Sequence, residues 1–346
     1  MTLKNIIKDR IADTGPIPFE EFMALSLYHP DGGFFATGKL RSEKAGDFLT
    51  SPEVSSLFGE TLAVHVERER RRIGEPFSLV EVGAGSGSLL KSLLGSIDVE
   101  SVAVEASPAA REALSGLIGA DNVRETIPDS IRGVVIANEL IDNLPMSIAQ
   151  RIDGEWRERW VGLDGAGLGF VDTVARPEVS SWLGEHAGEV ADGGWVEVQI
   201  AARDWLREVL RRLEEGSIVI IDYGDTAENL LPRRQDGTLR TYRAHHLGPH
   251  PLDEPGETDI TADVNFSALV ATAVGEGADA VVHRQDDFLG ELGLRDRLSE
   301  LRREELAATR SGNEMERLRI RSLKTEAETL LHPRGLGDFR VLVVSK

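Results

Sequence analysis

The chain has 346 residues, of which 41% are hydrophobic and 28% charged, proportions typical of a globular protein that buries a core of its own. Its formal net charge of −20 disfavours nucleic acid as a partner, because binding to a phosphate backbone requires clustered lysine and arginine. The chain has no cysteine, which excludes disulfides, thiolate metal sites and thiol nucleophiles.

The sequence also bears on location. No apolar run approaches the roughly 20 residues that a membrane helix requires, so no membrane insertion is expected. The first residues lack the apolar stretch of a signal peptide, and Asp9 and Asp13 distinguish them from acid-poor transit peptides. The lack of cysteine fits a reducing compartment. These features predict a cytoplasmic location.

The N-terminal part of the chain is predicted to be helical. Apolar spacing indicates helices over 3–13 and 18–27, separated at Gly15-Pro16. Ser51-Pro52-Glu53 has the form of a helix start and predicts a helix that runs to about Arg72. We interpret residues 1–72 as a helical and loop extension that covers the functional site of a core formed by 73–346.

The core begins with an alternation of strands and helices. Ser88 and Pro108 begin helices that separate the predicted strands at 78–82, 101–104, 123–125 and 134–137. This alternation predicts a doubly wound, mostly parallel α/β sheet of the Rossmann-like class.

Two insertions interrupt the core, at about 150–200 and 224–280. The first is predicted to contain a hairpin, and the second begins with a Gly-, Pro- and His-rich loop over 224–262. Its histidines lack partners at ligand spacing, so no metal site is expected. The other predicted elements are a helix over 199–214, a strand over 218–222, a helix over 265–274, a strand over 280–283, a helical segment over 295–330 and a strand over 339–344.

A glycine-rich loop follows the first strand of the core. It contains Gly83, Ala84, Gly85, Ser86 and Gly87, and the next helix begins at Ser88. Glycine lets a backbone approach a ligand closely, and the crevice beyond such a strand is where open α/β sheets bind nucleotides. The alternative interpretation is that these glycines serve only a tight turn.

Acids flank this loop, and its spacing bears on the ligand. A dinucleotide fingerprint, Gly-x-Gly-x-x-Gly, would have its third glycine at the position of Ser88. The spacing in this chain is Gly-x-Gly-x-Gly, which resembles motif I of class I methyltransferases. The cofactor of those enzymes carries an amino-acid tail. Loop amides can bind the tail carboxylate, and Glu81 its ammonium. Glu105 ends the second strand, where an acid accepts hydrogen bonds from both ribose hydroxyls of either ligand class.

A second polar cluster follows the fourth strand and contains Asn138, Glu139 and Asp142, which are candidate catalytic residues, with Asn138 also a candidate for cofactor binding. In a doubly wound sheet this strand lies beside the first, so the cluster is expected over the same crevice. A carboxylate there can orient a planar guanidinium, and Glu139 is our candidate for that role. Alternatively, Asn138 or Asp142 only caps the following helix.

The chain resembles the MidA-like methyltransferase family over nearly its whole length. The resemblance is densest at 18–62, 79–89 and 134–145, and its motifs include Leu27-Tyr28-His29-Pro30, Gly46-Asp47-Phe48, Asn138-Glu139, Ile221-Asp222-Tyr223-Gly224 and Asp259-Ile260-Thr261-Ala262. It implies a class I methyltransferase with S-adenosylmethionine as cofactor. Gly83, Gly85, Gly87 and Glu105 match its cofactor positions, and the stretches around Asp47 and Glu139 match motifs that line its site.

The resemblance also implies an acceptor and marks two departures. Mitochondrial members of the family resemble protein-arginine methyltransferases that act on a subunit of respiratory complex I, so a protein substrate is expected. Phe34 and Phe35 stand where the family usually has tyrosines, and Asp263 stands where it often has histidine. Two other functions stay open: an assembly chaperone that retains the fold, and a dinucleotide oxidoreductase. The oligomeric state is also open, with a homodimer among the alternatives.

Overall fold

The computed structural model describes residues 2–36, 50–165, 167–243 and 246–346. The helices of these residues are α1 Leu3–Thr14, α2 Phe19–Tyr28, α3 Ser51–Val54, α4 Ser56–Ile73, α5 Ser88–Leu94, α6 Pro108–Ile118, α7 Pro177–His186, α8 Ile200–Arg212, α9 Ala227–Leu230, α10 Phe266–Gly275, α11 Gln285–Glu291, α12 Leu294–Ser311 and α13 Glu314–Leu330. The strands are β1 Ile17–Pro18, β2 Ser78–Val82, β3 Glu100–Val104, β4 Val123–Arg124, β5 Ile131–Asn138, β6 Ser147–Ile152, β7 Glu155–Asp164, β8 Gly167–Val174, β9 Trp195–Val198, β10 Leu213–Asp222, β11 Gly224–Asp225, β12 Arg240–Arg243, β13 His246–Leu247, β14 Asp259–Thr261, β15 Val264–Asn265, β16 Asp279–Arg284 and β17 Arg340–Ser345.

A seven-stranded sheet forms the centre, in the order β16-β17-β10-β5-β2-β3-β4. Its middle strands pair in parallel, whereas β17 runs antiparallel to both β10 and β16. The sheet is therefore mixed, and the predicted α/β class is confirmed. The carboxyl ends of β2, β3 and β5 meet at one edge, which places the residues that follow these three strands close together.

Helices cover both faces of this sheet, which explains why its central strands β2, β5 and β10 are mostly apolar and buried. One face packs against α4, α5, α12 and α13 through residues such as Phe58, Leu90 and Leu301. The other packs against α8 and α10 through Leu206, Val209 and similar side chains. The helical segment predicted over 295–330 is the pair α12 and α13. Within the described ranges, no helix is both long and apolar enough to cross a membrane.

A second, five-stranded sheet has the order β1-β7-β6-β9, with β8 paired to β7. Its β7–β8 pair is the hairpin predicted in the first insertion. Helix α1 presents Leu3, Ile7 and Ile11 at a spacing of four residues, and with α2 it packs on this sheet around Phe22 and Val161. The first two helices thus belong to the second sheet, whereas α3 and α4 lie against the central one.

The structure differs from two predictions of secondary structure. The helix predicted from Ser51 is interrupted at Ser55, which is extended (φ −158°) and whose hydroxyl accepts a hydrogen bond from the amide of Leu57, so a new helix begins there. The segment predicted as a loop over 224–262 contains α9 and short strands, among them a three-stranded sheet of β13, β12 and β14. Strands of two to four residues are too short to show a periodicity.

Candidate active site

A cavity of about 500 Å³ lies at the carboxyl edge of the central sheet, a volume within the usual range for small-molecule sites. The sequence-predicted residues that line it are Glu81, Gly83, Ala84, Gly85, Ser86, Glu105, Asn138 and Glu139. Gly87 and Asp142 are not among its lining residues. Asp47, also a candidate catalytic residue, lies outside the described residues.

The glycine loop adopts a backbone that side chains disfavour. Gly83, Gly85 and Gly87 have φ values of 72°, 52° and 79°. A Cβ on Gly83 would lie 2.9 Å from a methyl carbon of Leu140, and one on Gly87 equally close to a methyl carbon of Leu114. The first two glycines shape the cavity wall. Gly87 instead begins α5 and packs against α6, which is the tight-turn role considered from the sequence.

Glu105 fastens this loop to the end of the second core strand. Its carboxylate accepts hydrogen bonds from the amide of Gly85 (2.9 Å) and the amide of Ser107 (2.7 Å). Each carboxylate oxygen can accept a second hydrogen bond, so Glu105 retains capacity for hydroxyl groups in the cavity. The acid predicted to bind a ribose therefore also sets the position of the loop.

Glu81 is a buried acid at the floor of the cavity. Burial, with the charge of Glu105 as the second cause, raises the pKa of Glu81 to about 8. Its Oε2 atom has no hydrogen-bond partner among the described residues. A buried carboxylate oxygen without a partner is costly unless a ligand satisfies it, and an ammonium group would do so.

Glu139 follows β5 in a left-handed backbone conformation, with φ of 51°. A residue with a side chain costs about 1–3 kcal/mol in such a conformation, and such strain is concentrated at functional sites. Its amide donates to the carbonyl of Ile221 (2.8 Å), and Asn138 donates its Nδ2 hydrogen to the Glu139 carboxylate (3.3 Å). Burial, followed by the charge of Asp142, raises the pKa of Glu139 to about 8. The strained turn directs this acid into the cavity.

Asp142 lies behind this turn. Its carboxylate accepts hydrogen bonds from the hydroxyls of Thr261 (2.6 Å) and Tyr223, and burial raises its pKa. The amides of Ile141 and Asp142 in turn donate to Asp222 at 2.9 and 3.2 Å. Asp142 lies in the 3₁₀ turn Ile141–Asn143 that follows Glu139 and is not among the cavity-lining residues. A catalytic role for Asp142 stays a prediction.

Several lining residues were not singled out from the sequence. The N-terminal part contributes Tyr28, Phe35 and Glu53. The Tyr28 hydroxyl donates to the carbonyl of Asn143 (3.0 Å), and its ring stacks on Phe35 with centroids 5.6 Å apart. Tyr28 and Glu53 stand within motifs of the family resemblance, which was the available signal. Periodicity could not reveal a contact between positions so distant in the chain.

The far end of the cavity is formed by the loop that follows β4 and by one side of α8. Thr126 and Ile127 line it from the loop, and Trp205 and Arg212 from the helix. Val104, Ala110, Ile127 and Trp205 supply apolar lining, and Glu125, Glu208 and Arg212 supply charged groups beside it. Such a wall suits a planar heterocycle, because apolar lining with a few polar groups is what ligand sites share.

The two departures from the family pattern have clear environments. Phe34 is fully buried in the cluster around α1 and α2, and Phe35 lines the cavity. Asp263 is buried and forms ion pairs with Arg240 (3.0 Å) and Arg233. Asp263 is thus bound to two arginines and does not line the cavity, so the lack of histidine there leaves the described cavity wall unchanged.

Comparisons with known proteins show the family of this chain. The model of a family described as "Putative S-adenosyl-L-methionine-dependent methyltransferase" matches residues 59–283. Among curated proteins, the mitochondrial protein arginine methyltransferase NDUFAF7 of Xenopus tropicalis is 30% identical over 340 residues, covering 86% of this chain and 77% of that protein. The human protein of the same name is also 30% identical, covering 84% and 73%.

A solved structure from Burkholderia thailandensis is similar over 99% of this chain and 92% of its own, with 30% identity and a TM-score of 0.87. It was crystallised bound to S-adenosyl-homocysteine. A second, native crystal structure from the same organism is similar to this chain with a TM-score of 0.84 and 28% identity. The fold is therefore shared with a protein that binds the demethylated form of the expected cofactor.

The cytoplasmic location predicted from the sequence is contradicted by these comparisons, because the curated relatives from Drosophila melanogaster to human are named as mitochondrial proteins. A lack of cysteine indicates at most a reducing environment and does not distinguish one compartment from another.

The match to the family model covers well over half of the residues of this chain. On that basis the protein belongs to this family of S-adenosyl-L-methionine-dependent methyltransferases.

Proposed function

We propose that this methyltransferase acts on the guanidinium group of an arginine in a protein. The observation that carries the proposal is Glu139, a strained acid that lines the same cavity as the glycine loop. A carboxylate binds a planar guanidinium through two parallel hydrogen bonds, which fixes the orientation of the acceptor nitrogen. The curated relatives, at about 30% identity, are named protein arginine methyltransferases.

The cofactor fits the residues present. We assign Glu81 and the 83–86 loop to its amino-acid tail, because the buried Glu81 oxygen lacks a hydrogen-bond partner among the described residues, which an ammonium group would supply. The amides of Gly83 and Gly85 already donate to the carbonyl of Val104 and the carboxylate of Glu105. Glu105 is assigned to the ribose hydroxyls. Asn138, whose Oδ1 atom also has no hydrogen-bond partner within the described part of the chain, is assigned to the end nearest the acceptor. When bound, S-adenosyl-L-methionine supplies an electrophilic methyl group on a sulfonium.

Glu139 has two tasks in this proposal. It holds the acceptor guanidinium close to the cofactor end marked by Asn138, and such positioning supplies much of the rate of a two-substrate reaction. It also localises the positive charge on the guanidinium nitrogens that do not react. A guanidinium has a pKa above about 12, so the proton released on methylation requires an acceptor, and the Glu139 carboxylate is within the same cavity.

We further infer how the chain is organised around this site. The strand order, with helices on both faces, supports a doubly wound arrangement for the central sheet. Lining by Tyr28, Phe35 and Glu53 supports the interpretation of residues 1–72 as an extension over the site. The acceptor would then enter between this extension and the end of β5, where Glu139 lies.

The test is transfer of a labelled methyl group from the cofactor to extracts of cells that lack the protein, followed by hydrolysis and amino-acid analysis. We expect label in methylarginine, and its loss with Glu139→Gln. Glu189→Gln, an exposed acid away from the cavity, is the control and should retain activity. Label in methyllysine or in base-labile esters, with none in methylarginine, would contradict an arginine acceptor.

A further inference from the structure

Helix α8 has two distinct sides. Ala202, Leu206, Val209 and Leu210 are buried against the central sheet. Trp205, Glu208 and Arg212, spaced by three and four residues, share another side and line the cavity. This helix therefore forms part of the cavity wall with side chains that the proposed chemistry does not use.

Arg212 connects this helix to the loop after β4. One end nitrogen of its guanidinium donates to the carbonyl of Ile127 and lies 3.5 Å from the carbonyl of Pro128. Its Nε atom and its other end nitrogen bind one oxygen of Glu208, at 2.7 and 2.5 Å. Because Glu208 holds two of the three guanidinium nitrogens, the remaining one is directed at the loop carbonyls.

Within the described part of the chain, the loop has three other contacts: the Ser130 hydroxyl donates to Glu214 (2.6 Å), Arg111 lies 3.9 Å from the exposed Glu125, and Ile127 packs in part against the central-sheet cluster. Strand β4 comprises two residues at the edge of the sheet and pairs only with β3, through Val123 and Arg124. Glu125, Thr126, Asp129 and Ser130 are exposed. A segment with few buried contacts opens at low free energy, so a single side-chain bridge has a large effect on its order. The contact between Arg212 and Asp129 at 3.7 Å adds little, since that carboxylate is fully exposed.

We propose that Arg212 is a positioning residue that holds the 125–129 loop against α8, so that this loop forms the cavity wall for the base of the cofactor. The order β2, β3, β4 along the sheet supports this assignment. The tail is assigned to the end of β2 and the ribose to Glu105 at the end of β3, so the base extends toward the loop after β4. Arg212 acts through its hydrogen bond to the backbone of this loop, so no contact between Arg212 and the ligand is required.

The test compares Arg212→Ala with Arg211→Ala in the full-length protein. Arg211 pairs with the same Glu208 from an exposed position and does not line the cavity, so it is the matched control. We measure the Kd for S-adenosyl-homocysteine by calorimetry, and amide hydrogen exchange of residues 125–129 without ligand. For Arg212→Ala we expect a Kd raised about tenfold and exchange accelerated about tenfold or more, with both values unchanged in Arg211→Ala.

Other outcomes would overturn the proposal. A raised Kd with unchanged exchange would mean that Arg212 contacts the ligand directly, and faster exchange with an unchanged Kd would mean that the loop does not form the binding wall. If Arg212→Ala fails to fold, Glu208→Gln replaces it, because it weakens the ion pair that orients Arg212 without substituting any residue of the loop. The same two changes, smaller in size, are then expected. Neither readout uses an acceptor, so a wrong arginine assignment would not affect the result.

Discussion

The raised pKa of Glu139 predicts a specific pH dependence. Only the ionised acid binds a guanidinium as a charged partner, and with a pKa of about 8 it is ionised in about a tenth of the molecules at pH 7. At saturating cofactor, kcat/KM for the acceptor should therefore rise by up to about tenfold between pH 7 and a plateau above pH 9. Because kcat/KM for the acceptor reports the enzyme–cofactor complex before the acceptor binds, the acceptor cation does not shift this profile. The positive charge of the bound sulfonium lowers the pKa of Glu139 and moves the rise toward lower pH.

The Glu139→Gln variant tests the assignment of this profile. It should lower the plateau about 100-fold, the lower end of what a positioned proton-transfer group contributes, and it should flatten the rise. Glu81 also has a pKa of about 8, but it is assigned to the cofactor tail, so saturating cofactor removes its contribution. The assay is methyl transfer to the acceptor between pH 6 and 9.5. A flat wild-type profile, or an equal rise in the variant, would refute the reasoning.

Three further predictions concern stability and geometry. Gly87→Ala should lower the free energy of unfolding by about 1–3 kcal/mol in a denaturant titration, since the new Cβ meets Leu114 at positive φ; unchanged stability would contradict it. Burial favours the neutral form of Glu81, so this carboxyl group contributes fully to stability below about pH 4.5, and the contribution is lost as the pH rises through about 8. The Tm of Glu81→Gln should therefore increase relative to that of the wild type between pH 5 and 9. A Tm difference that stays constant over this range would refute the prediction. The carboxylate of Asp222 accepts hydrogen bonds from three backbone amides, and Asp222→Asn replaces one of its acceptor oxygens by an NH₂ donor, so the turn that carries Glu139 should shift. We expect kcat to fall at least tenfold while the Kd for S-adenosyl-homocysteine stays unchanged. An equal loss of activity and of cofactor affinity would indicate general unfolding.

Local patterns predicted well which residues meet at one end of the cavity. A buried strand followed by Gly83, Gly85 and Gly87 constrains the backbone within a few residues, and the acid at the end of the next strand is then placed by sheet geometry. The same reasoning placed Glu139 correctly at the cavity. Each of these inferences depends only on parallel strands ending at the same edge of a sheet. The alternation of strands and helices in the sequence is enough to predict that arrangement.

The acceptor side depends on contacts that no local pattern contains. Tyr28 and Asn143 are far apart in sequence, and their hydrogen bond exists only because α2 packs on the second sheet. Asp142 was predicted as a catalytic residue because it follows a core strand, but it lies in a 3₁₀ turn of three residues and is not among the cavity-lining residues. The ion pairs of Asp263 likewise join segments whose pairing follows from tertiary structure.

The two walls of the cavity belong to different packing units. The wall assigned to the cofactor is built from the central sheet, whereas Tyr28 and Phe35 come from the cluster of α1, α2 and the second sheet. Substitutions that reshape the second unit can therefore change which acceptor is admitted while the affinity for the methyl donor is preserved. We therefore expect that exchange of α1 and α2 between relatives alters the selectivity for the acceptor and leaves the residues assigned to the methyl donor unchanged.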